Sequence, residues 1–318
     1  MRALCAPPWS LHEVLSGTII PSTRQKPRRE LAERYATGYR KLAGVRAVLL
    51  SGSVARGIAD RYSDIELMVF WEGAPRIRSR RRAAETGGGT GATHHPYDRD
   101  NDEWADDVLV RGVEIQVSHR TVARTERWLA DVLEGAIPDL VKQDLIALIR
   151  AAVVLHGDDL VAGWRQRTDR YPEELALAMV RAHLDFRSAW QRRKLLDRGE
   201  LLPLYEDLTA TVRNVLLVLL GLNRIWFPHL GFKWMRRLAA EFPLAPDDLP
   251  ARLDAVLATP AATAVPVADA LIGDTLTLVA EHLPEAGAAG ELALLWQERP
   301  VWDAAPAGLD RFTGRKRA

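Results

Sequence analysis

The chain is almost without cysteine. Cys5 is alone among 318 residues, which excludes a disulfide framework and a cysteine-ligated zinc site. Long hydrophobic runs are missing too: the longest unbroken one, Val215–Leu220, is far too short to span a bilayer. Met1–Ser10 has no apolar core followed by a cleavage site, so it makes a poor signal peptide. Charge of one sign is also lacking. A net charge of +1 is the balance of many charges of both signs, so composition implies no general affinity for polyanions, and the excess of Arg over Lys reads as compositional bias. The glycine-rich stretch 87–91 is not closed by Gly-Lys-Ser/Thr and is therefore not a phosphate loop. No internal repeat is visible. The expectation is a soluble cytoplasmic protein, monomer or homodimer, of about two domains, with 47% apolar residues to build its core.

What is present centres on the stretch from Val48 to Phe70, VLLSGSVARGIADRYSDIELMVF. Val48–Leu50 reads as a buried strand. Gly52-Ser53 follows at once, then Val54-Ala55-Arg56-Gly57, freeing backbone amides to point at a ligand where the strand ends. Asp64-Ile65-Glu66-Leu67 then alternates, which puts Asp64 and Glu66 on one face of a second strand. Two carboxylates on one face repel, and a cation between them reverses that cost; oxygen ligands on a rigid element suit Mg²⁺. A third carboxylate is available in the alternating strand Val113–Val117, where Glu114 and Gln116 face away from Val113, Ile115 and Val117.

The Gly-Ser turn, the spacer, the acidic-apolar-acidic strand and the later acidic strand together resemble the DNA polymerase β-type nucleotidyltransferase superfamily. The string GSVARGIADRYSDIEL is most similar to its small antibiotic-modifying members, the aminoglycoside nucleotidyltransferases and their bacterial relatives. The resemblance covers roughly residues 40 to 120. One departure is that the dyad ends in Glu66, where many members have Asp. The resemblance implies an α+β protein: a nucleotidyltransferase domain over 1–160, a mixed β-sheet flanked by helices, then an all-helical domain over 161–318 that binds substrate and nucleotide. It implies transfer of an NMP, AMP first, from ATP or another NTP to a hydroxyl of a small antibiotic- or metabolite-like molecule, with pyrophosphate released. Two Mg²⁺ ions would be held by Asp64, Glu66 and Glu114. Gly52 would let the backbone approach the phosphates, Ser53 would hydrogen-bond them, and Arg56 would brace an outer phosphate. The alternatives are transfer to a macromolecule, tRNA or protein, or a non-catalytic nucleotide-binding regulator.

Elsewhere the signals are weaker. Residues 1–28 read as an irregular start and Arg29–Leu42 as a surface helix ended by Gly44. Glu72–Asp107 has no periodicity and reads as a long loop, mobile or folded over the acceptor with Trp104 as a contact. It holds the basic run Arg76–Arg82, a candidate phosphate contact in the macromolecular reading, and an acidic run from Asp98 to Asp107. His94-His95 lack a third ligand at useful spacing, and His119 reads as a strand-end polar residue. Helices are expected over Thr121–Leu133 and Leu140–Arg150, then a strand at Ala152–Leu155 with a turn at 156–159. A helix is expected from Pro172 to Leu196, with His183 as a structural residue, and another from Pro203 to Leu222. Glu206 and Asp207 sit in the first turn of the latter, either complementing its dipole or supplying a general base, Glu206 or Asp207. The aromatic segment 225–234 surrounds Lys233, which either snorkels at a helix corner or, as the resemblance implies, reaches the triphosphate. Leu249–Leu257, Ala262–His282 and Gly290–Gln297 read as helices, and Arg311–Ala318 as a frayed basic tail.

Overall fold

The computed structural model describes residues 25–299; Cys5, the chain before residue 25 and the basic tail lie outside them. By compactness the chain divides into two units, the first being Met1–His183 with Leu216–Pro250 and the second Leu184–Val215 with Ala251–Ala318. The sequence placed a single division at residue 160.

The first unit is built on a mixed six-stranded sheet. In chain order its elements are α1 (Gln25–Arg40), β1 (Val45–Ser51), the one-turn α2 (Gly52–Ala55), β2 (Ile65–Trp71), α3 (Ile77–Thr86), β3 (Thr90–His94), β4 (Trp104–Val110), β5 (Val113–Thr121), α4 (Val122–Leu133), α5 (Leu140–Ala151), β6 (Val153–His156), α6 (Asp158–Arg167) and α7 (Glu173–His183). The strand order is β3-β4-β5-β2-β1-β6, with β2 and β5 parallel and every other pair antiparallel. Period-two alternation sends successive side chains to opposite faces, and each face has its own core. On one, Val48, Leu50, Ile65, Leu67, Val69, Ile115 and Val117 pack against Leu31, Tyr35 and Tyr39 of α1 and Ala83 and Ala84 of α3. On the other, Ala47, Leu49, Met68 and Phe70 meet Leu129 of α4, Leu145 and Ile149 of α5, Trp164 of α6 and Leu175 of α7. The architecture is α+β, as expected.

The loop expected over Glu72–Asp107 does not exist: α3, β3 and most of β4 occupy it. Its charges had masked the pattern because they are spent inside the fold. Asp106 is fully buried on β4, where Arg80 of α3 bonds Oδ1 at 2.5 Å, His94 meets Oδ1 at 2.8 Å and His119 meets Oδ2 at 2.8 Å. Trp71 Nε1 donates to His119 Nδ1 at 3.2 Å. An indole N–H can only donate, so His119 carries its proton on Nε2 and gives it to Asp106. Burial drives the His119 pKa down, consistent with a neutral ring. For Asp106, burial pushes the pKa up, but the hydrogen bonds from His119, Arg80 and His94 outweigh it and hold the carboxyl at about 2. Asp98 caps its own turn by accepting from the Asp100 and Asn101 amides, and Trp104 stacks on Tyr97, with ring centroids 4.9 Å apart. Asp106→Asn removes the charge that three donors share and is expected to cost about 2 kcal/mol, read as a lower urea midpoint at pH 7.

The turn expected at 156–159 opens α6 instead. The long helix expected from Pro172 to Leu196 is broken after His183, and it resumes in the second unit as α8 (Ala189–Asp197), which a Ser188–Gln191 capping box starts afresh. Next comes α9 (Leu201–Leu222). Because α9 begins at Leu201, Glu206 and Asp207 fall beyond its first turn, and the dipole reading of this pair does not hold. The short α10 (Met235–Ala239) belongs to the first unit; α11 (Leu249–Ala258), α12 (Ala261–His282) and α13 (Ala288–Leu295) are the last α-helices among the described residues. In the second unit the fully buried Arg192 ties Asp207 (3.3 Å) to Asp269 (2.6 Å). By length and composition α12 would be able to cross a membrane, which unbroken apolar runs had not shown; 56% of its most apolar window is buried.

Candidate active site

The sheet ends in a polar row on the face that carries α5. Ser51 of β1 pairs with Glu66 of β2, Glu66 with Gln116 of β5, and Gln116 with Asp107 of β4. Residues in register across a sheet point the same way, so these four side chains share a face. One residue further along, continuing the Ile65–Ile115 register past the start of β2 lines Asp64 up with Glu114. The parallel pairing of β2 with β5 thus puts Glu114 on the face that carries Asp64 and Glu66.

The Gly-Ser turn touches the same group. Gly52 has φ +63°, and a Cβ placed there would lie 2.4 Å from the Glu66 carboxyl carbon. Glycine is needed both for the left-handed backbone and for this approach. Ser53 and Arg56 are buried beside it. Arg56 is turned toward the segment after α9: it donates to the Pro228 carbonyl at 3.2 Å and stacks over Trp234 at 5.3 Å. The same segment carries Lys233, exposed but close enough to Glu66 to lower its pKa. The Glu66 carboxyl is nevertheless raised overall, first by burial and then by the charge of Asp64, with Lys233 and Arg56 opposing.

An acid made costly to ionise by burial and by an acidic neighbour is an arrangement that a divalent cation relieves, and an all-oxygen donor set suits Mg²⁺. Asp64, Glu66 and Glu114 therefore fit such an ion in chemistry and in face. They are not yet gathered about one point: among the described residues no three His, Cys, Asp or Glu side chains converge closely enough to hold a metal.

Of the residues singled out from sequence, Gly52, Ser53, Arg56, Asp64, Glu66, Glu114 and Lys233 all lie in the first unit. Glu206 is exposed in the second unit and lines a cavity there with Arg187, Asp207 and Asn214. Asp207 is occupied by Arg187 at 3.1 Å and by Arg192. His94 and His95 do not share a ligand, since His94 meets Asp106 and His95 meets Asp107. His119 belongs to the opposite face.

One residue was missed. Asp144 of α5 stands in the same helix stripe as Val141, Leu145 and Leu148 and lines, with Glu66, Ser118 and Arg120, a cavity of about 330 Å³. The readable signal was a lone carboxylate in the sheet-facing stripe of an amphipathic helix.

Fold and site together define an α+β domain with carboxylates on one face at a strand end beside a Gly-Ser turn. Comparisons with known proteins add the following. Residues 139–235 match a family model described as a domain of unknown function, DUF4037. No curated protein matches. Among solved structures the chain is similar to a nucleotidyltransferase-like protein from Exiguobacterium sibiricum, at 12% identity and a TM-score of 0.38, over 87% of this chain and 82% of that one. A superposition this loose leaves any functional reading to the chain's own residues.

Proposed function

We propose that this protein is a Mg²⁺-dependent nucleotidyltransferase that moves an NMP, AMP first, from an NTP to a hydroxyl of a small antibiotic- or metabolite-like molecule. The observation that supports the reading is the register of β2 with β5, which puts Glu114 on the face of Asp64 and Glu66, with Gly52 packed against Glu66. Asp64, Glu66 and Glu114 would hold the metal. Bound there, Mg²⁺ would neutralise charge on the triphosphate and the leaving pyrophosphate. Around it, Gly52 gives the phosphates room to approach the backbone, Ser53 offers a hydroxyl donor, and Lys233 supplies positive charge from the loop after α9. Arg56, already held by Pro228 and Trp234, braces that loop against the turn. A small acceptor suits a cavity of about 330 Å³. The basic run that a nucleic-acid acceptor would use lies on α3, whose Ala83 and Ala84 pack on the opposite face of the sheet.

The test is mass spectrometry of a panel of hydroxylated acceptors with each NTP and Mg²⁺, following pyrophosphate release. Mass gain by one nucleotidyl group on a small acceptor supports the reading, and no release with any NTP overturns it. Gly52→Ala adds a methyl against Glu66 at a positive φ. It is expected to slow pyrophosphate release about 100-fold, since misplacement by an ångström costs that much, while lowering stability by about 2–4 kcal/mol.

A further inference from the structure

Transfer to a hydroxyl needs a group that takes its proton. Asp64, Glu66 and Glu114 are committed to the cation in the reading above. Other acids near the cavity are also engaged: Glu103 is bridged to Arg120 at 2.8 Å and Asp107 to His95 at 2.7 Å. Asp144 is different. Its Oδ1 is buried and has no hydrogen-bond partner among the described residues. The charges facing it come from every side: Arg56 after α2, Glu66 of β2, Arg120 of β5 and Glu103 before β4.

We propose that the cavity between α5 and the carboxylate face of the sheet receives the acceptor, and that Asp144 takes the proton from the acceptor hydroxyl. This rests on the nucleotidyl-transfer reading. In the step, the acceptor O–H bond breaks and its proton goes to Asp144 Oδ1. The freed oxygen forms a bond to the α-phosphorus, the bond from that phosphorus to the bridging oxygen breaks, and its electron pair leaves with pyrophosphate. Burial pushes the Asp144 carboxyl up to about 7, with Arg56 and Arg120 opposing and Glu66 and Glu103 reinforcing. A base is most effective when its pKa is near the working pH. Glu206, the base expected from sequence, lies in the second unit.

The experiment compares wild type, Asp144→Asn, Asp144→Glu and Glu206→Gln, using ATP with Mg²⁺ and the acceptor panel. Pyrophosphate release, calorimetric binding of ATP with Mg²⁺, and the urea midpoint of metal-free protein from pH 4 to 8 are measured for each. The expected result is that Asp144→Asn lowers kcat about 100- to 1,000-fold with ATP affinity unchanged. Asp144→Glu restores part of the rate, and the fall in the wild-type urea midpoint between about pH 4 and 7 is reduced in Asp144→Asn. If wild type turns over and Asp144→Asn matches it, the assignment of Asp144 fails while nucleotidyl transfer stands. If Glu206→Gln loses activity and Asp144→Asn does not, the role returns to Glu206. If wild type releases no pyrophosphate under any condition, the reading itself fails. An unchanged pH profile of the urea midpoint in Asp144→Asn would overturn the assignment of Asp144.

Discussion

Asp64→Asn and Glu66→Gln each lower Mg²⁺-dependent pyrophosphate release by on the order of 1,000-fold or more, because each removes a charged oxygen from the proposed cation site. Neither should unfold the protein. Asp64 precedes β2, and both side chains are only half-buried, outside the two apolar cores. The two variants differ in one respect. Glu66 ionises reluctantly in its half-buried position beside Asp64, so an uncharged Gln there should raise the thermal midpoint of the metal-free protein at pH 8. A variant that is more stable and inactive is the signature of a carboxylate kept for function. Differential scanning calorimetry with and without Mg²⁺ provides the check: Mg²⁺ should stabilise wild type and do little for either variant. If both variants keep full activity, the site is misassigned.

The site was more legible than the fold around it. Gly52, Ser53, Asp64 and Glu66 lie close in sequence, and local alternation alone sets the dyad on one face. Glu114 needed only a second alternating strand, although the parallel pairing that delivers it could not be read from spacing. The segment from Glu72 to Asp107 was illegible for a physical reason. Arg80, His94, Asp106 and His119 look like surface residues one at a time, and only their mutual contacts allow them to be buried. β4 hides behind adjacent Asp106 and Asp107, which face opposite sides of the sheet and have different partners. The break after His183 was missed because apolar periodicity runs on through Leu184 and Phe186, while the new start at Ser188 is a capping signal that periodicity does not register. Asp144 escaped notice because its meaning depends on what stands across from it on β2 and β5.

Raising the pH from about 4 to about 7 should destabilise metal-free wild type relative to Asp144→Asn, by an amount on the order of 4 kcal/mol at full extent. The sign follows from proton counting. With its pKa near 7, the folded Asp144 keeps a proton that the unfolded chain has already released above about pH 4. Between those values the folded state binds more protons, so stability falls as pH rises, and the loss is complete once pH passes about 7. Asp106 works the other way. Its pKa of about 2 means that stability is gained as pH rises from about 2 to about 4 and then stays constant. The raised carboxyls of Glu66, Glu103 and Asp207 add to the downward slope, and the buried neutral His119 opposes it. The wild-type curve is therefore a sum, and the quantity to plot is the wild-type minus Asp144→Asn difference in unfolding free energy, from urea titrations at constant ionic strength with EDTA. A difference that grows between pH 4 and 7 and levels off above shows an acid held protonated by its surroundings. A flat difference shows a carboxylate that water already reaches, which would not hold its pKa near neutrality. The energy involved is a measure of how strongly the cavity resists a second negative charge beside Glu66, and that resistance is what would let Asp144 pick up a proton at the moment an acceptor oxygen gives one up.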